Sequence, residues 1–280
     1  MTEQIAVLGR ANADLTVRVP HRASVGRTAF GSPLAVTPGG KAFNQACAVA
    51  RLGGRAALVA NAGDDDWGRM LARTLAGFGV DGTGFRLLPA TPTGAAIIEV
   101  TPDGESYVTF ARSPETDPTA ADAAGIRAET VVTQLDIPAA AVRALPRPPL
   151  LIGNLVPGPG LDRAFLATLD LYVVNEHEAA AVLDTTRVDA AEAVDGLLDL
   201  GIPAVVVTAG PRGAAYGRST GTGTVSAPHV RAVDTSGAGD AFLAALTLAL
   251  TRNRPLPDAV TAAVEVGARA VQQRGSLLLP

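Results

Sequence analysis

The chain has 280 residues, 48% hydrophobic and 18% charged, enough apolar material for one large domain or two small ones. Its net charge of −4 argues against nucleic acid as the main partner, and the lone Cys47 excludes an internal disulfide. With no zinc-spaced Cys/His cluster, no basic-then-apolar leader and no bilayer-length apolar run, a soluble cytoplasmic protein with no membrane partner is expected.

Ile5-Ala6-Val7-Leu8-Gly9 is a short apolar run closed by glycine, the pattern of a buried parallel strand. The Gly-x-Gly-x-x-Gly that a dinucleotide site needs after such a strand is absent, which counts against NAD. Asn12 and Asp14 instead set an amide and a carboxylate just past the strand's C-terminal end, where open α/β sheets bind ligands. Residues 15–37 alternate weakly and contain Pro20, Gly26, Gly31 and Pro33, predicting short, partly exposed strands. Pro38-Gly39-Gly40-Lys41-Ala42-Phe43-Asn44-Gln45-Ala46 then opens a helix on glycine, closed near Gly53. Asn44 is one turn in from the Gly-Gly pair and faces the same site as Gly40 and Lys41. Of 23 basic residues Lys41 alone is lysine, either by chance or because its site is too tight for a planar guanidinium.

Ala57-Leu58-Val59-Ala60 predicts a second central strand, running into Gly63-Asp64-Asp65-Asp66-Trp67-Gly68 and a helix from about Arg69 to Phe78. These acids read as helix-start and loop structure rather than catalysis. Thr93–Val100 and Glu105–Phe110, joined by Thr101-Pro102-Asp103-Gly104, form the clearest hairpin. With residues 15–37 it would build a small sheet standing off the main one. Residues 113–130 carry little signal. Strands follow at 131–136 and 150–154, and Pro146-Arg147-Pro148-Pro149 shortens the helical region between them. Leu171–Val174 is another strand, with Asn175 an ordinary helix N-cap when read by itself. Ala204–Val207 is a third buried strand, ending in Thr208-x-Gly210-x-x-Gly213, a turn that lets backbone approach a nucleotide. A short strand pair at 214–216 and 222–226 and a last helix over 257–273 complete the pattern.

Val233-Asp234-Thr235-Ser236-Gly237-Ala238-Gly239-Asp240 leads into the apolar helical run 242–250. Gly237, Ala238 and Gly239 thus sit where the first backbone N–H groups have no intrahelical partner and the macrodipole is positive, a site for an anion. Asp240 would repel a bound phosphate. Read by itself it either only caps the helix or acts as a base that takes a proton from a hydroxyl attacking that phosphate. Strand, glycine turn and helix alternate without linker or repeat, predicting one three-layer α/β domain over 1–280 with a mostly parallel central sheet.

Asp234 to Asp240 resembles, residue for residue, the Asp-Thr-x-Gly-Ala-Gly-Asp signature of the PfkB/ribokinase family of carbohydrate kinases. Gly39 to Ala46 is similar to the family's Gly-Gly-Lys-Gly-Ala-Asn-Gln-Ala, with Ala42 and Phe43 where glycine and alanine are usual; the added bulk of Phe43 would either shrink or re-aim the sugar pocket or simply pack inward. The resemblance spans Ile5 to about Gly275. It implies a ribokinase-like fold and an ATP-dependent kinase acting on a hydroxymethyl of a small sugar, ribose first. Other sugars, sugar acids or nucleosides, and a silent sugar-binding sensor, are the alternatives. It implies that Asn12, Asp14, Gly40, Lys41, Asn44 and Asp136 hold the sugar, Asp136 standing where glutamate is usual. Asn175, Thr208, Gly210, Gly213 and Gly239 would meet ATP, and Asn175 with Glu178 would steer magnesium through water. Segments 12–37 and 93–112 would be a β lid and a homodimer contact. A potassium ion is implied between Asp234 and Ser236 on one side and Ala270, Gln273 and Gly275 on the other, with leucine in 276–280 where a serine hydroxyl is usual. The terminal helix usual in ribokinases is expected to be missing.

Overall fold

Apolar strands that end on glycine or a polar residue, each followed by a helix start, dictate the order of elements. The computed structural model describes residues 4–103 and 105–278. The chain opens with β1 (Gln4–Leu8), β2 (Asn12–Arg18), β3 (Ala35–Gly39), α1 (Lys41–Arg51), β4 (Arg55–Gly63) and α2 (Asp66–Phe78). There follow β5 (Phe85–Leu88), β6 (Ala95–Val100), β7 (Ser106–Ala111), α3 (Ala120–Ala124), β8 (Thr130–Gln134), α4 (Ala139–Arg143) and β9 (Leu150–Asn154). The remainder is α5 (Arg163–Leu166), β10 (Leu171–Asn175), α6 (Glu176–Val182), α7 (Ala190–Asp199), β11 (Ala204–Thr208) and β12 (Ala214–Arg218). β13 (Gly221–Val225), α8 (Ala238–Thr251) and α9 (Leu256–Ala270) come last.

A nine-stranded sheet has the order β13-β12-β11-β10-β9-β8-β1-β4-β5 and is parallel from β11 to β5, with β12 and β13 antiparallel. Alternate residues of each strand enter different layers, as a two-residue period requires. Ile5 and Val7 pack with Phe43, Leu71, Phe242 and Val260, whereas Ala6 and Leu8 pack with Val142, Phe165 and Val194. Both faces are covered, so the central strands read as continuous apolar runs rather than alternating ones. This is the expected three-layer α/β fold.

A second sheet has the order β3-β2-β6-β7, with β2 and β6 parallel and the outer pairs antiparallel. It is formed by the two predicted lid segments, although residues 19–34 contribute no strand. The hairpin is β6–β7, and Gly104 of its turn lies outside the described residues. β7 is exposed along its whole length, and Ile97 of β6 joins Val108 and Phe110 of β7 among the large exposed apolar side chains.

Two helix boundaries correct the sequence expectation, and one open alternative is decided. α2 begins at Asp66, not Arg69, because Asp65 caps it: its carboxylate accepts from Gly68 N at 2.8 Å and from Thr93 N at 2.8 Å. α9 ends at Ala270, not Gln273. The Val271 carbonyl is taken by the N–H groups of Val233 and Asp234, and Gly275 N turns instead to Asp234 Oδ2 at 3.0 Å. Ala42 and Phe43 are both fully buried, so these departures from the motif fill the core under α8 rather than narrow a ligand site. Burying the Phe43 side chain stabilises by about 2–3 kcal/mol. Among the described residues no helix is long and apolar enough to cross a membrane.

Candidate active site

The loop before α8 needs a left-handed residue where it turns into the helix, and Gly237 supplies it with φ 71°. A Cβ there would stand 2.1 Å from the Ser276 carbonyl oxygen, so the loop is also packed too closely for a side chain. The first-turn N–H groups of α8 follow at once, that of Ala238 donating to the Thr235 carbonyl at 3.3 Å, with Asp240 in the same turn and 7% exposed. Each carboxylate oxygen accepts an amide hydrogen bond from α1: Oδ2 from Asn44 Nδ2 at 3.1 Å and Oδ1 from Gln45 Nε2 at 3.0 Å. Burial pushes the Asp240 pKa up, opposed by the Lys41 charge and by these two donors.

Asn12 and Asp14 lie on β2, not in a turn. Asn12 Nδ2 donates to Asp14 Oδ1 at 2.7 Å. Burial pushes Asp14 up to about 6, with the negative charge of Asp240 adding to the rise. The two carboxyls therefore face one site. Gly40, with φ 96°, brings the start of α1 onto β2; a Cβ would lie 2.7 Å from the Arg10 carbonyl oxygen and 2.8 Å from Asn12 Oδ1. Lys41 is solvent-exposed on the first turn of α1, not confined as a tight site would require; burial raises the pKa of both Asp240 and Asp136, and the Lys41 charge opposes that rise. Asn12, Asp14, Gly40, Lys41, Asn44 and Asp240 are thus brought together at the C-terminal end of β1.

Asp136 is at the rim of this region, after β8. Its side chain is 44% exposed, and one oxygen is taken by Arg10 NH1 at 2.7 Å. Arg10 also binds Asp117 Oδ1 at 2.6 Å, and Asp117 Oδ2 binds Arg112 at 2.5 Å, just past β7. Arg10 and Asp117 escaped the sequence reading, as did Gln45 and Asn154. Arg10 and Asp117 stand 107 residues apart, and no local pattern links them. Gln45 lay inside a motif and had a signal.

A cleft of about 420 Å³ opens on the other side of the glycine loop, lined by Thr208, Gly210, Gly213, Gly239, Phe242 and Val271 among others. Asn175, paired with Thr208 across the sheet, lies beside it. Asn175 and Glu178 form a reciprocal capping box for α6, Asn175 Oδ1 accepting from Glu178 N at 2.8 Å and Glu178 Oε2 from Asn175 N at 3.0 Å. Asp234 joins its own loop to the chain after α9, Oδ1 accepting from Ser236 N at 2.9 Å and Oδ2 from Gly275 N. Ala270 is buried and its carbonyl accepts from Gln273 N, while Leu277 and Leu278 pack on the core. Leu279 and Pro280 lie outside the described residues. Among the described residues no group of three His, Cys, Asp or Glu side chains is arranged to hold a metal.

The family model described as pfkB family carbohydrate kinase matches residues 2–140 and 158–279. The chain belongs to that family. A pfkB carbohydrate kinase transfers phosphate from ATP to a sugar, and this chain is such an ATP-dependent kinase. It is 33% identical to the ribokinase of Schizosaccharomyces pombe over an alignment spanning 97% of this chain and 93% of that one. The ribokinase of Thermotoga maritima has a similar structure, with TM-score 0.84 and 26% identity, over 98% of this chain and 94% of that one. The ribokinase of Cryptococcus neoformans in complex with ADP is also similar, with TM-score 0.80 and 25% identity over 99% and 95%. The stretch that the family model leaves out begins just before the Pro146–Pro149 interruption and spans β9 and residues 155–157.

Proposed function

We propose that this pfkB kinase phosphorylates the 5-hydroxymethyl of ribose. The observation that carries the reading is Asp240: a carboxylate buried at the N-terminus of α8, between the anion loop and the polar cluster of Asn12, Asp14, Gly40, Lys41 and Asn44. In that cluster Asp14 accepts from sugar hydroxyls, and Asn44 Oδ1, buried without a hydrogen bond, accepts from another. Lys41 donates. Asp136 offers its free oxygen at the far rim. These contacts align the attacking hydroxyl with the γ-phosphate. Asp240 takes its proton, and the N–H groups of Gly237, Ala238 and Gly239 stabilise charge on the transferring group.

ATP enters the 420 Å³ cleft, its base side against Thr208, Gly210 and Gly213. Magnesium would be held through water by Asn175 and Glu178; the capping box uses one Glu178 oxygen and leaves the other for a bound water. That ion supplies charge neutralisation on the phosphates. A potassium site would use Asp234, Ser236, Ala270, Gln273 and Gly275. Leu277 and Leu278 bring no hydroxyl to it, so activation by potassium over sodium at matched ionic strength is expected to be weaker than in ribokinases. Strong activation saturating at low millimolar potassium would contradict this. The β2-β3-β6-β7 sheet closes the sugar site as a lid within a single 1–280 domain, and its exposed apolar residues supply a homodimer contact.

Lys41→Arg tests the sugar cluster. The larger planar head is expected to raise the sugar KM several-fold while leaving that for ATP nearly unchanged. Identical sugar kinetics would remove Lys41 from the site. The substrate itself is tested by an ADP-release screen over pentoses, hexoses, sugar acids and nucleosides. Ribose is expected to give the highest kcat/KM. Preference for a fructose-type hexose or a nucleoside would replace the ribose assignment, and no ADP release with any acceptor would favour a sugar-binding sensor.

A further inference from the structure

Gln45 is 2% exposed on α1, one of a small buried polar group with Asn44, Asn154 and Asp240 set among apolar side chains. Its Nε2 has two hydrogens and two acceptors, Asp240 Oδ1 at 3.0 Å and Asn154 Oδ1 at 3.1 Å. Asn154, at the end of β9, donates its own Nδ2 to the Val173 carbonyl of β10 at 2.7 Å. The direction of this relay is forced from both ends. A main-chain carbonyl only accepts, so Asn154 turns its nitrogen to Val173 and its oxygen to Gln45. An ionised carboxylate also only accepts, so Gln45 must donate to both neighbours. The Gln45 oxygen, meanwhile, is buried without a hydrogen bond. A position kept for stability alone would avoid that cost.

We propose that Gln45 is a positioning residue for phosphoryl transfer: anchored through Asn154 to the central sheet, its amide fixes the plane of the Asp240 carboxylate and keeps it ionised to receive the proton. The inference rests on Asp240 being the base. Asn44 holds the second oxygen, and two donors from adjacent residues of one helix stop rotation about the carboxylate's Cβ–Cγ bond. Lys41 from α1 favours the ionised form and Asp14 from β2 opposes it, so the Gln45 donor helps to decide the balance in a buried site.

Gln45→Met keeps the length and removes the donor. It is expected to lower kcat about 10- to 100-fold, the scale of a lost hydrogen bond to a charged group. The sugar and ATP KM should stay within about twofold, and the acid limb of the kcat–pH profile should move to higher pH. Gln45→Glu keeps the shape and sets a second carboxyl against Asp240, and its acid limb should move further in the same direction. If Gln45→Met does not fold, the limb of Gln45→Glu decides. Unchanged kcat and an unmoved limb would overturn the inference, and so would a large rise in sugar KM with an unmoved limb, which would make Gln45 a substrate contact. Asp240→Asn run in parallel separates the two failures: if it is inactive while the Gln45 variants are normal, the base stands and the positioning role falls.

Discussion

Asp240→Asn is expected to lose turnover by about 100-fold or more, the usual scale for a general base, while still binding sugar and ATP. The amide is isosteric: Gln45 can still donate to its remaining oxygen, and Asn44 can turn its unpartnered Oδ1 to accept from the new NH2. Stability should not suffer. Burial raises the folded pKa of Asp240 above its unfolded value, so its contribution to stability is lost as pH rises through the folded value. At pH 7.5 a neutral side chain there avoids the cost of burying charge, and the variant should unfold no lower than the parent in a thermal melt. Near-parental kcat at saturating substrates would remove Asp240 from the mechanism.

Gly237→Ala should be the most damaging change to the anion loop. A left-handed conformation costs an L-residue about 1–2 kcal/mol, and the new Cβ would in addition meet the Ser276 carbonyl at 2.1 Å. That neighbour is backbone, so the loop itself must move, taking with it the N–H groups that face the phosphate. Loss of such donors costs on the order of 100- to 1,000-fold in kcat. The expected outcome is a lower denaturant midpoint together with a kcat reduced at least 100-fold. A variant with unchanged midpoint and kcat would show that neither the strain nor the loop geometry matters.

Much of this site was legible because its parts are contiguous in the chain. Gly237 to Asp240 occupies four consecutive positions, and Gly40, Lys41 and Asn44 fall within one helical turn, so local rules for helix starts sufficed. What could not be read depends on pairs distant in sequence. Arg10 meets Asp117 and Asp136 across 107 and 126 residues, and Gln45 meets Asp240 across 195. Residues 113–130 offered no apolar period because polar contacts order them. Asp117 is buried between two arginines, and Thr119 with Asp122 caps α3. The end of α9 escaped for the same reason, its closing carbonyl being claimed by the loop before α8. At Phe43 the local motif left two outcomes open, a reshaped sugar pocket or inward packing, and its contacts with α8 and the sheet decide for the second.

The most direct test of the account is the identity of the product. The purified enzyme is incubated with ATP, magnesium and ribose, and the sugar phosphate is followed by phosphorus NMR with proton coupling. Attack by the hydroxymethyl oxygen that Asp240 deprotonates predicts one new phosphomonoester, a triplet coupled to the two C5 protons, formed in step with ADP and absent with Asp240→Asn. A doublet from a phosphate on a ring carbon, or ADP released without any sugar phosphate, would contradict it.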